Sequence, residues 1–332
     1  MTQHHPSTNL ERQIRSQPEE LNRILASSTV NGQIRVAVEG LHRARRIWLV
    51  GTGTSQHAAA IGAGLIQEAG RSAHSVSSMQ FVRWAPLVGP QDAVIVITHT
   101  AETSYAIAAR AAAFNAGLHV VTISRTGSGL PGAIDTVERE TSETYTVSYT
   151  TTLLVLAMLA AELGAESPTA ERLALVPGAV RNAIEAPGLD DCATPDRLLV
   201  IVGSGPASVT AREGALKVRE AGRLPAEGYD AEYLLHGSAV PLSAQDRLLA
   251  LTTPDPDGFL EATMRAAEAE GIPVTRLEEP FPLPSLLAQI PLTVRLQMLA
   301  LRIAAERGQN PDVVITGHWR DEALWAIGSP NS

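Results

Sequence analysis

The sequence predicts an α/β protein made of two parallel sheets, each flanked by helices in flavodoxin-like layers. Three observations carry this. The stretch Arg45–Gly53, ending in Gly51-Thr52-Gly53, matches Arg197–Gly205, ending in Gly203-Ser204-Gly205. The stretch Gln91–Thr100 matches Gln245–Pro254 at nearly the same offset, close to half the chain. Repetition at a fixed offset marks a duplicated unit. Short apolar runs also alternate with helical stretches, the pattern of a parallel sheet covered on both faces.

The elements follow in order. Leu10–Ser28 reads as a helix broken at Pro18. Ile47–Val50 is a short apolar strand, Gly51–Ser55 a turn and His57–Ala69 an alanine-rich helix. Ala93–Ile97 is a strand, Thr103–Ala116 a helix stopped by Gly117, and His119–Ser124 a strand. Thr150–Leu163 is a long apolar helix ending at Gly164. The second half repeats the plan. Leu198–Val202 is a strand, Gly203–Pro206 a turn, Ala207–Ala221 a helix and Leu248–Thr252 a strand. Gly258–Glu270 is a helix, Pro273–Leu277 a strand and Leu286–Arg307 the last long helix. The expected domains are an N-terminal helical segment (1–44), a first domain (45–165), a helix and linker (166–195), a second domain (196–307) and a tail (308–332). Trp319 and Trp325 in the tail predict that it is packed.

Composition bounds the function. The chain has 332 residues, 45% of them hydrophobic and 18% charged, with a net charge of −9. That balance lacks the basic face that nucleic-acid binding needs. One cysteine, Cys192, permits no disulfide framework and no cysteine zinc site, and is most simply a packing residue. The polar start carries no apolar signal segment, and no run of 18 apolar residues exists, so the expectation is a cytoplasmic protein without a membrane span. Histidine spacing shows no metal site. Lys217 is the one lysine among 26 basic residues. A lysine in so arginine-rich a chain marks a place where a compact ammonium is needed, unless arginine merely fills every undemanding position.

The two glycine turns are not equivalent. Gly51-Thr52-Gly53-Thr54-Ser55-Gln56 lacks the third glycine of a dinucleotide fingerprint, and neither turn has the Gly-Lys-Ser/Thr of a nucleotide loop. The first turn instead offers Ser55 and a helix N-terminus to an anion, or is a tight turn without a ligand. Thr98-His99-Thr100-Ala101-Glu102-Thr103 places three threonines between a strand and a helix, where parallel sheets hold ligands. They surround a phosphoryl group together with Ser55, or serve as turn residues with Thr103 as a helix cap. The second copy continues Thr253-Pro254-Asp255-Pro256-Asp257, whose aspartates repel a phosphate.

Glu213, Lys217 and Glu220 fall at i, i+4 and i+7, on one helix face. Spacing alone reads as a solvated salt-bridge face; the single lysine at its centre argues for chemistry. His236, before Gly237, reads as a histidine exposed on a turn.

These residues resemble the double-SIS (sugar isomerase) family, which includes the isomerase half of glucosamine-6-phosphate synthase and standalone AgaS-type hexosamine-6-phosphate deaminases. The likeness runs from Ile14–Pro18 to Gly308–Asp312, and its strongest part is Glu213–Glu220 followed by Ala226–Tyr229 and Leu235–Gly237. The resemblance implies two tandem SIS domains and a sugar-phosphate shell of Ser55, Thr98, Thr100 and Thr103, with His99 where the synthases carry glutamine. Thr54, Thr150 and His318 are implied as weaker substrate contacts. Glu220 matches the carboxylate that moves a proton between C1 and C2, and His236 the histidine that opens the sugar ring from a partner subunit. Glu213 and Lys217 match the residues that buttress the carboxylate. A homodimer with its site at the subunit interface is implied, with no cofactor, metal, nucleic acid or membrane.

The departures shape the expected activity. No glutaminase region and no cysteine after Met1 accompany the likeness, which argues against a glutamine-dependent synthase. The synthases' tail lysine is missing from Pro311–Arg320, and their Ser-Thr-Lys segment reads Tyr149-Thr150-Thr151. A Schiff base through that lysine is therefore excluded, whereas proton transfer is not. The expected function is a hexosamine-6-phosphate deaminase or isomerase. A deglycase of fructosamine 6-phosphates and a non-catalytic sugar-phosphate sensor are the alternatives.

Overall fold

The computed structural model describes residues 7–84, 87–278 and 283–329. The beginning of the N-terminal segment (1–6) and the end of the tail (330–332) lie outside the described residues. The chain divides into two compact units. One comprises Glu19–Arg139, Ser148–Pro177 and the described part of Ile315–Ser332; the other comprises the described part of Met1–Pro18, Glu140–Val147 and Gly178–Val314.

Helix α1 (Asn9–Ala26) runs unbroken through Pro18, contrary to the expected break. Proline lacks the N–H that would reach the carbonyl of Ile14. The Gln17 side chain supplies that donor instead, its Nε2 lying 3.0 Å from the Ile14 oxygen. The same Nε2 donates to Gln297 Oε1 at 2.8 Å. The first two N–H groups of α1 donate to the Asp312 carboxylate at 2.9 and 2.8 Å, a charged cap from the far end of the sequence.

The first unit continues with α2 (Ser28–Leu41), capped by Ser27, whose Oγ accepts from the Val30 N–H. Then come β1 (Arg46–Gly51), α3 (Thr54–Glu68), β2 (Ala73–Ser77), α4 (Ser78–Arg83) and β3 (Asp92–Ile97). They are followed by α5 (Ser104–Asn115), β4 (His119–Ser124), β5 (Ile134–Asp135) and α6 (Val147–Glu162). Helix α7 (Ala170–Glu185) crosses into the second unit after Pro177. The sheet is parallel, in the order β2-β1-β3-β4-β5. Strand β3 is buried at every position, as a parallel strand covered on both faces must be.

The second unit holds β6 (Leu199–Gly203), α8 (Pro206–Gly222), β7 (Ala226–Asp230) and the single turn α9 (Ala231–Tyr233). After these come β8 (Arg247–Thr252), α10 (Phe259–Ala269), β9 (Val274–Glu278) and α11 (Ser285–Glu306). Its parallel order β7-β6-β8-β9 repeats β2-β1-β3-β4. Sequence patterning alone did not predict β2 or β7, because Ala73–Ser77 and Ala226–Asp230 are polar edge strands.

The two sheets share their fastenings. Gly51 and Gly203 end the first strand of each. A Cβ there would come within 2.4 Å of the Ser55 oxygen and 2.7 Å of the Ala207 backbone. Both positions therefore require glycine for the tight strand-to-helix turn. Arg46 forms a fork on Asp92, at 3.0 Å from Nε to Oδ1 and 2.8 Å from Nη2 to Oδ2, and donates to the Leu87 carbonyl. Arg197 does the same with Asp246 and the Pro241 carbonyl. The backbone N–H of Gly89 or Ser243 completes each carboxylate.

Among the described residues, one helix, α11, is long and apolar enough to cross a membrane. Its apolar window is 78% buried within the protein, the signature of a core helix. Buried Arg295 donates from that helix to the carbonyls of Ala183, Ala186 and Pro187. Cys192 is buried, as expected of a packing residue, and burial pushes its thiol pKa up. The tail differs from expectation: Trp319 is 76% exposed and Trp325 58%. Its last helix, α12 (Glu322–Ala326), has only five residues and no buried face. Polar bonds fasten it instead, from Trp325 Nε1 to the Trp319 carbonyl and from Ser104 Oγ to the Trp325 carbonyl.

Burial alone would raise the Asp92 carboxyl; the bonds from Arg46, Gly89 and Trp48 outweigh that and hold it below the ordinary carboxylate range. The stability it confers is therefore present above the unfolded value near ~4 and lost as pH falls through the lower folded value. Asp92→Ala is expected to cost about 1–3 kcal/mol at neutral pH. Denaturant unfolding at pH 7 and pH 3 should show the difference from wild type shrinking on acidification.

Candidate functional site

In the first unit the candidate groups stand at the carboxyl ends of neighbouring strands. Strand β1 leads into Thr54 and Ser55, the first residues of α3; β3 leads into Thr98–Thr103, before α5. The two strands pair directly, so both turns share one edge of the sheet. Neither helix start is capped by a side chain of its N-cap residue, Gly53 or Thr103. That leaves the positive end of each helix dipole facing that edge. Thr103 is the N-cap by position, but its side chain accepts no capping bond.

The threonine turn is fixed on β4. The Thr98 N–H donates to the Ile123 carbonyl, Ser124 Oγ to the Thr98 carbonyl at 2.7 Å, and the Arg125 N–H to the His99 carbonyl. Ala101 sits at φ +60°, a left-handed conformation unfavourable for a residue with a Cβ. The bidentate pair Arg139–Glu102, at 2.5 and 2.9 Å, holds the next residue in place. Thr98 is buried, and its Oγ1 has no hydrogen-bond partner within the protein. Buried hydroxyls are normally bonded, so this one has capacity for a ligand. Ser78, just past β2, has the same kind of unpartnered buried Oγ. Sequence reasoning missed Ser78 because β2 was not recognised.

His99 behaves differently from a cationic phosphate ligand. Burial lowers its pKa, and the guanidinium groups of Arg125 and Arg139 lower it further, to about 4. The imidazole is neutral at physiological pH. Thr150 is fully buried inside α6, which begins three residues earlier than predicted. His318 is exposed on the tail turn Gly317–Arg320.

In the second unit, α8 places Glu213, Lys217 and Glu220 together. Lys217 Nζ lies 2.5 Å from Glu220 Oε2 and 3.5 Å from Glu213 Oε1. The expected solvated face is not what forms. Glu213 and Lys217 are completely buried, because α11 packs along one side of α8 and the sheet along the other. The Glu220 side chain retains 19% exposure.

Burial alone would strip the proton from Lys217. The carboxylates of Glu220 and Glu213, with a further contribution from Glu140, outweigh it and raise the ammonium above its ordinary value. For Glu220 burial is the largest influence and raises the carboxyl. Lys217 offsets this in part, Glu213 adds to it, and the result lies above the ordinary glutamate value. A buried, fixed carboxylate with raised proton affinity and one exposed edge suits abstraction of a carbon-bound proton.

His236 stands apart from this cluster. It lies in the kinked turn Leu234–Ser238, where His236 and Gly237 leave helical geometry. Its side chain is 76% exposed, and Glu232 is 3.9 Å away. The second unit's own strand-end cleft, of about 380 Å³, is lined by Ser204, Asp230, Glu232, Asp255 and Asp257. Those carboxylates disfavour a phosphate there.

Lys217→Met leaves two carboxylates around a buried, uncharged side chain. The expected cost is about 3–5 kcal/mol at pH 8. The cost should fall toward pH 5 as those carboxylates take up protons, which urea unfolding at both values would measure. For the phosphate groups, His99→Gln should leave the calorimetric affinity for inorganic phosphate unchanged within about twofold from pH 6 to 8. A histidine that turned cationic in that range would instead lose binding on substitution, most at pH 6.

Comparison with known proteins places these features. The chain is 28% identical over 317 residues to the isomerizing glutamine–fructose-6-phosphate aminotransferase of Thermococcus kodakarensis, covering 84% of this chain and 52% of that protein. It thus spans about half the length of the curated relatives it matches. The fold is similar to that of glucosamine-6-phosphate deaminase from Thermotoga maritima, with a TM-score of 0.76 at 18% identity over 92% of this chain and 97% of that one. It is likewise similar to the C-terminal domain of glucosamine-fructose-6-phosphate aminotransferase from Francisella tularensis, with a TM-score of 0.77 at 18% identity over 94% and 100%. At these identities the structural likeness is one of fold. Residues 40–162, which include all of β1–β5, match the SIS domain.

Proposed function

We propose that this protein is a sugar-phosphate isomerase or deaminase acting on a hexosamine 6-phosphate, with the second sheet as a second SIS domain. The buried Glu213–Lys217–Glu220 cluster carries this reading. Burying an ammonium and two carboxylates on one helix costs several kcal/mol per ion unless they are mutually satisfied. A fold that only needed helix packing would place leucine there. The matched SIS domain and the deaminase and aminotransferase relatives support a sugar phosphate as ligand.

In this reading Ser55, Thr98, Thr100 and Thr103 hold the phosphate, with Thr54 beside them, and His236 assists opening of the sugar ring. Glu220 takes the proton from C2 of the open 2-amino aldose, and the electron pair forms the C1–C2 enaminol. The same carboxyl returns the proton to C1, giving the 2-imine of the ketose. Water adds at C2 and ammonia leaves, so substrate plus water gives ketose 6-phosphate plus ammonia. Lys217 keeps Glu220 oriented and stabilises its charged form before the first transfer and after the second. Glu213 is sealed from solvent and acts through Lys217 and through its own charge on Glu220. Since Glu220 must begin ionised, turnover falls as pH drops through its raised value.

His236 lies amid exposed apolar residues, Tyr233, Leu235 and Val240. That surface supports a homodimer in which a second copy covers the histidine.

The test is magnetic resonance of the protein with glucosamine 6-phosphate and then galactosamine 6-phosphate in D₂O, paired with an ammonia assay. Ammonia appearing with fructose or tagatose 6-phosphate is the expected outcome. Deuterium at C1 or C2 without ammonia would instead mark an isomerase, or a deglycase offered the wrong amine. Saturable binding without either would favour a sensor. Glu220→Gln should reduce turnover about 10²–10⁴-fold while sparing sugar-phosphate binding; retained turnover overturns the assignment of Glu220.

A further inference from the structure

The shell proposed for the phosphate is short of charge. Ser55, Thr98, Thr100 and Thr103 bring hydroxyls, and the starts of α3 and α5 bring partial positive charge. A phosphoryl group brings about −1.5 to −2 at neutral pH. His99 is neutral there, with a pKa of about 4. Arg139 is committed to Glu102, which it engages with both terminal nitrogens.

Arg125 is placed differently. It is the first residue past β4, and its N–H donates to the His99 carbonyl at 3.2 Å. The residue before it, Ser124, donates from Oγ to the Thr98 carbonyl at 2.7 Å and to the His99 carbonyl at 3.3 Å. Arg125 is thus bonded into the threonine turn itself. Its Nη1 donates to the carbonyls of Thr126 and Gly127, at 3.2 and 2.9 Å. Those carbonyls accept protons but leave the charge unneutralised. No carboxylate among the described residues is paired with the guanidinium. Its Nε is buried without a hydrogen-bond partner in the protein, the same condition as Thr98 Oγ1 in this turn.

We propose that Arg125 is a further phosphate-binding residue of this edge, supplying the full positive charge that the hydroxyl shell lacks. The inference rests on the reading of the threonine turn as the phosphate site.

The duplicated frame reverses the charge at this corner. Ile97 pairs with Ile123 as Leu251 pairs with Leu277. Beyond those pairs the first unit continues Ser124-Arg125, and the sequence of the second continues Glu278-Glu279. The change of sign runs the same way as the aspartates of the second cleft. A residue that only tied a loop would not need to follow the sign of the ligand edge. Because Nε is enclosed, binding turns the side chain and releases its bonds to Thr126 and Gly127. Both residues are exposed, so water satisfies their carbonyls once the arginine leaves. Neutral partners are thereby exchanged for an anion, and hydrogen bonds between charged groups are about twice as strong as neutral ones.

The test is titration calorimetry with inorganic phosphate at neutral pH and low salt, on wild type, Arg125→Met, Arg125→Lys and Arg71→Met. Arg71 precedes β2 at the opposite end of the sheet and bonds His42. Arg125→Met should weaken binding about 10–100-fold. Arg125→Lys should lose less, since it keeps the charge and gives up the fork. Arg71→Met should stay within about twofold of wild type. An Arg125→Met affinity within twofold of wild type overturns the proposal. So does an equal loss in Arg71→Met, which would mean that net charge alone matters. If Arg125→Met does not melt cooperatively, Arg125→Gln, which keeps a neutral donor for the loop carbonyls, must show the same loss; retained affinity overturns the proposal equally. A wild-type protein that binds no phosphate speaks against the threonine turn as a phosphate site, and with it against Arg125. Binding in wild type that Arg125→Met leaves intact speaks against Arg125 alone.

Discussion

The interaction on which the second unit depends is the contact of a fully buried ammonium with two carboxylates of its own helix. An isolated ammonium inside a protein costs several kcal/mol even after relaxation. Lys217 therefore requires Glu213 and Glu220 at hydrogen-bonding or ion-pair range, and all three require the rest of α8 to be enclosed so that their geometry cannot drift. The enclosure is visible in the neighbours. Gly214 has no side chain where Leu296 of α11 crosses, and a Cβ there would lie 2.3 Å from Leu296 Cδ1. Polar residues of α11 that would be errors in an ordinary core, Gln289 and Gln297, each find partners, in Thr210 and in Gln17 and Thr146. A helix that must hide charge recruits satisfied polar groups around it.

The same duplicated frame has been put to two uses. Arg46–Asp92 and Arg197–Asp246 fasten equivalent corners, and Gly51 and Gly203 make equivalent turns. Past those turns the copies diverge in charge. One sheet edge carries hydroxyls and an unpartnered buried Thr98 Oγ1, with Arg125 and Arg139 near His99. The other carries Asp230, Glu232, Asp255 and Asp257 around its cleft. Opposite fields at equivalent positions mean that the sheet edge of the first copy suits an anion and the cleft of the second does not.

Much of this was legible in the sequence, for identifiable reasons. Ile47–Val50, Ala93–Ile97, Leu198–Val202 and Leu248–Thr252 are apolar runs ended by turns, so the central strands announce themselves. Polar edge strands such as Ala226–Asp230 do not. Pro18 predicted a break because the rescuing donor, Gln17, is visible only once the helix is built. The tryptophans of the tail predicted packing because aromatic content was read without its partners. For the candidate site, i, i+4, i+7 spacing placed Glu213, Lys217 and Glu220 on one face but left open which medium that face meets.

Under the proposed function, the choice of lysine at 217 follows from what the pair would do. A guanidinium is planar, carries its charge over several nitrogens and binds a carboxylate as a fork. Such a fork would engage both oxygens of Glu220 and leave neither free to meet a substrate proton. An ammonium is a point donor: with Nζ at 2.5 Å it engages Oε2 alone, and in the proposed reaction Oε1 is the oxygen that meets the substrate. It also reaches Glu213 at 3.5 Å, so that one charge serves two carboxylates. Burial is what raises the proton affinity of Glu220, and a lysine engaged with two carboxylates offsets that only in part. In a chain whose other 25 lysine or arginine positions are all arginine, the exception falls at a fully buried point charge shared by two carboxylates.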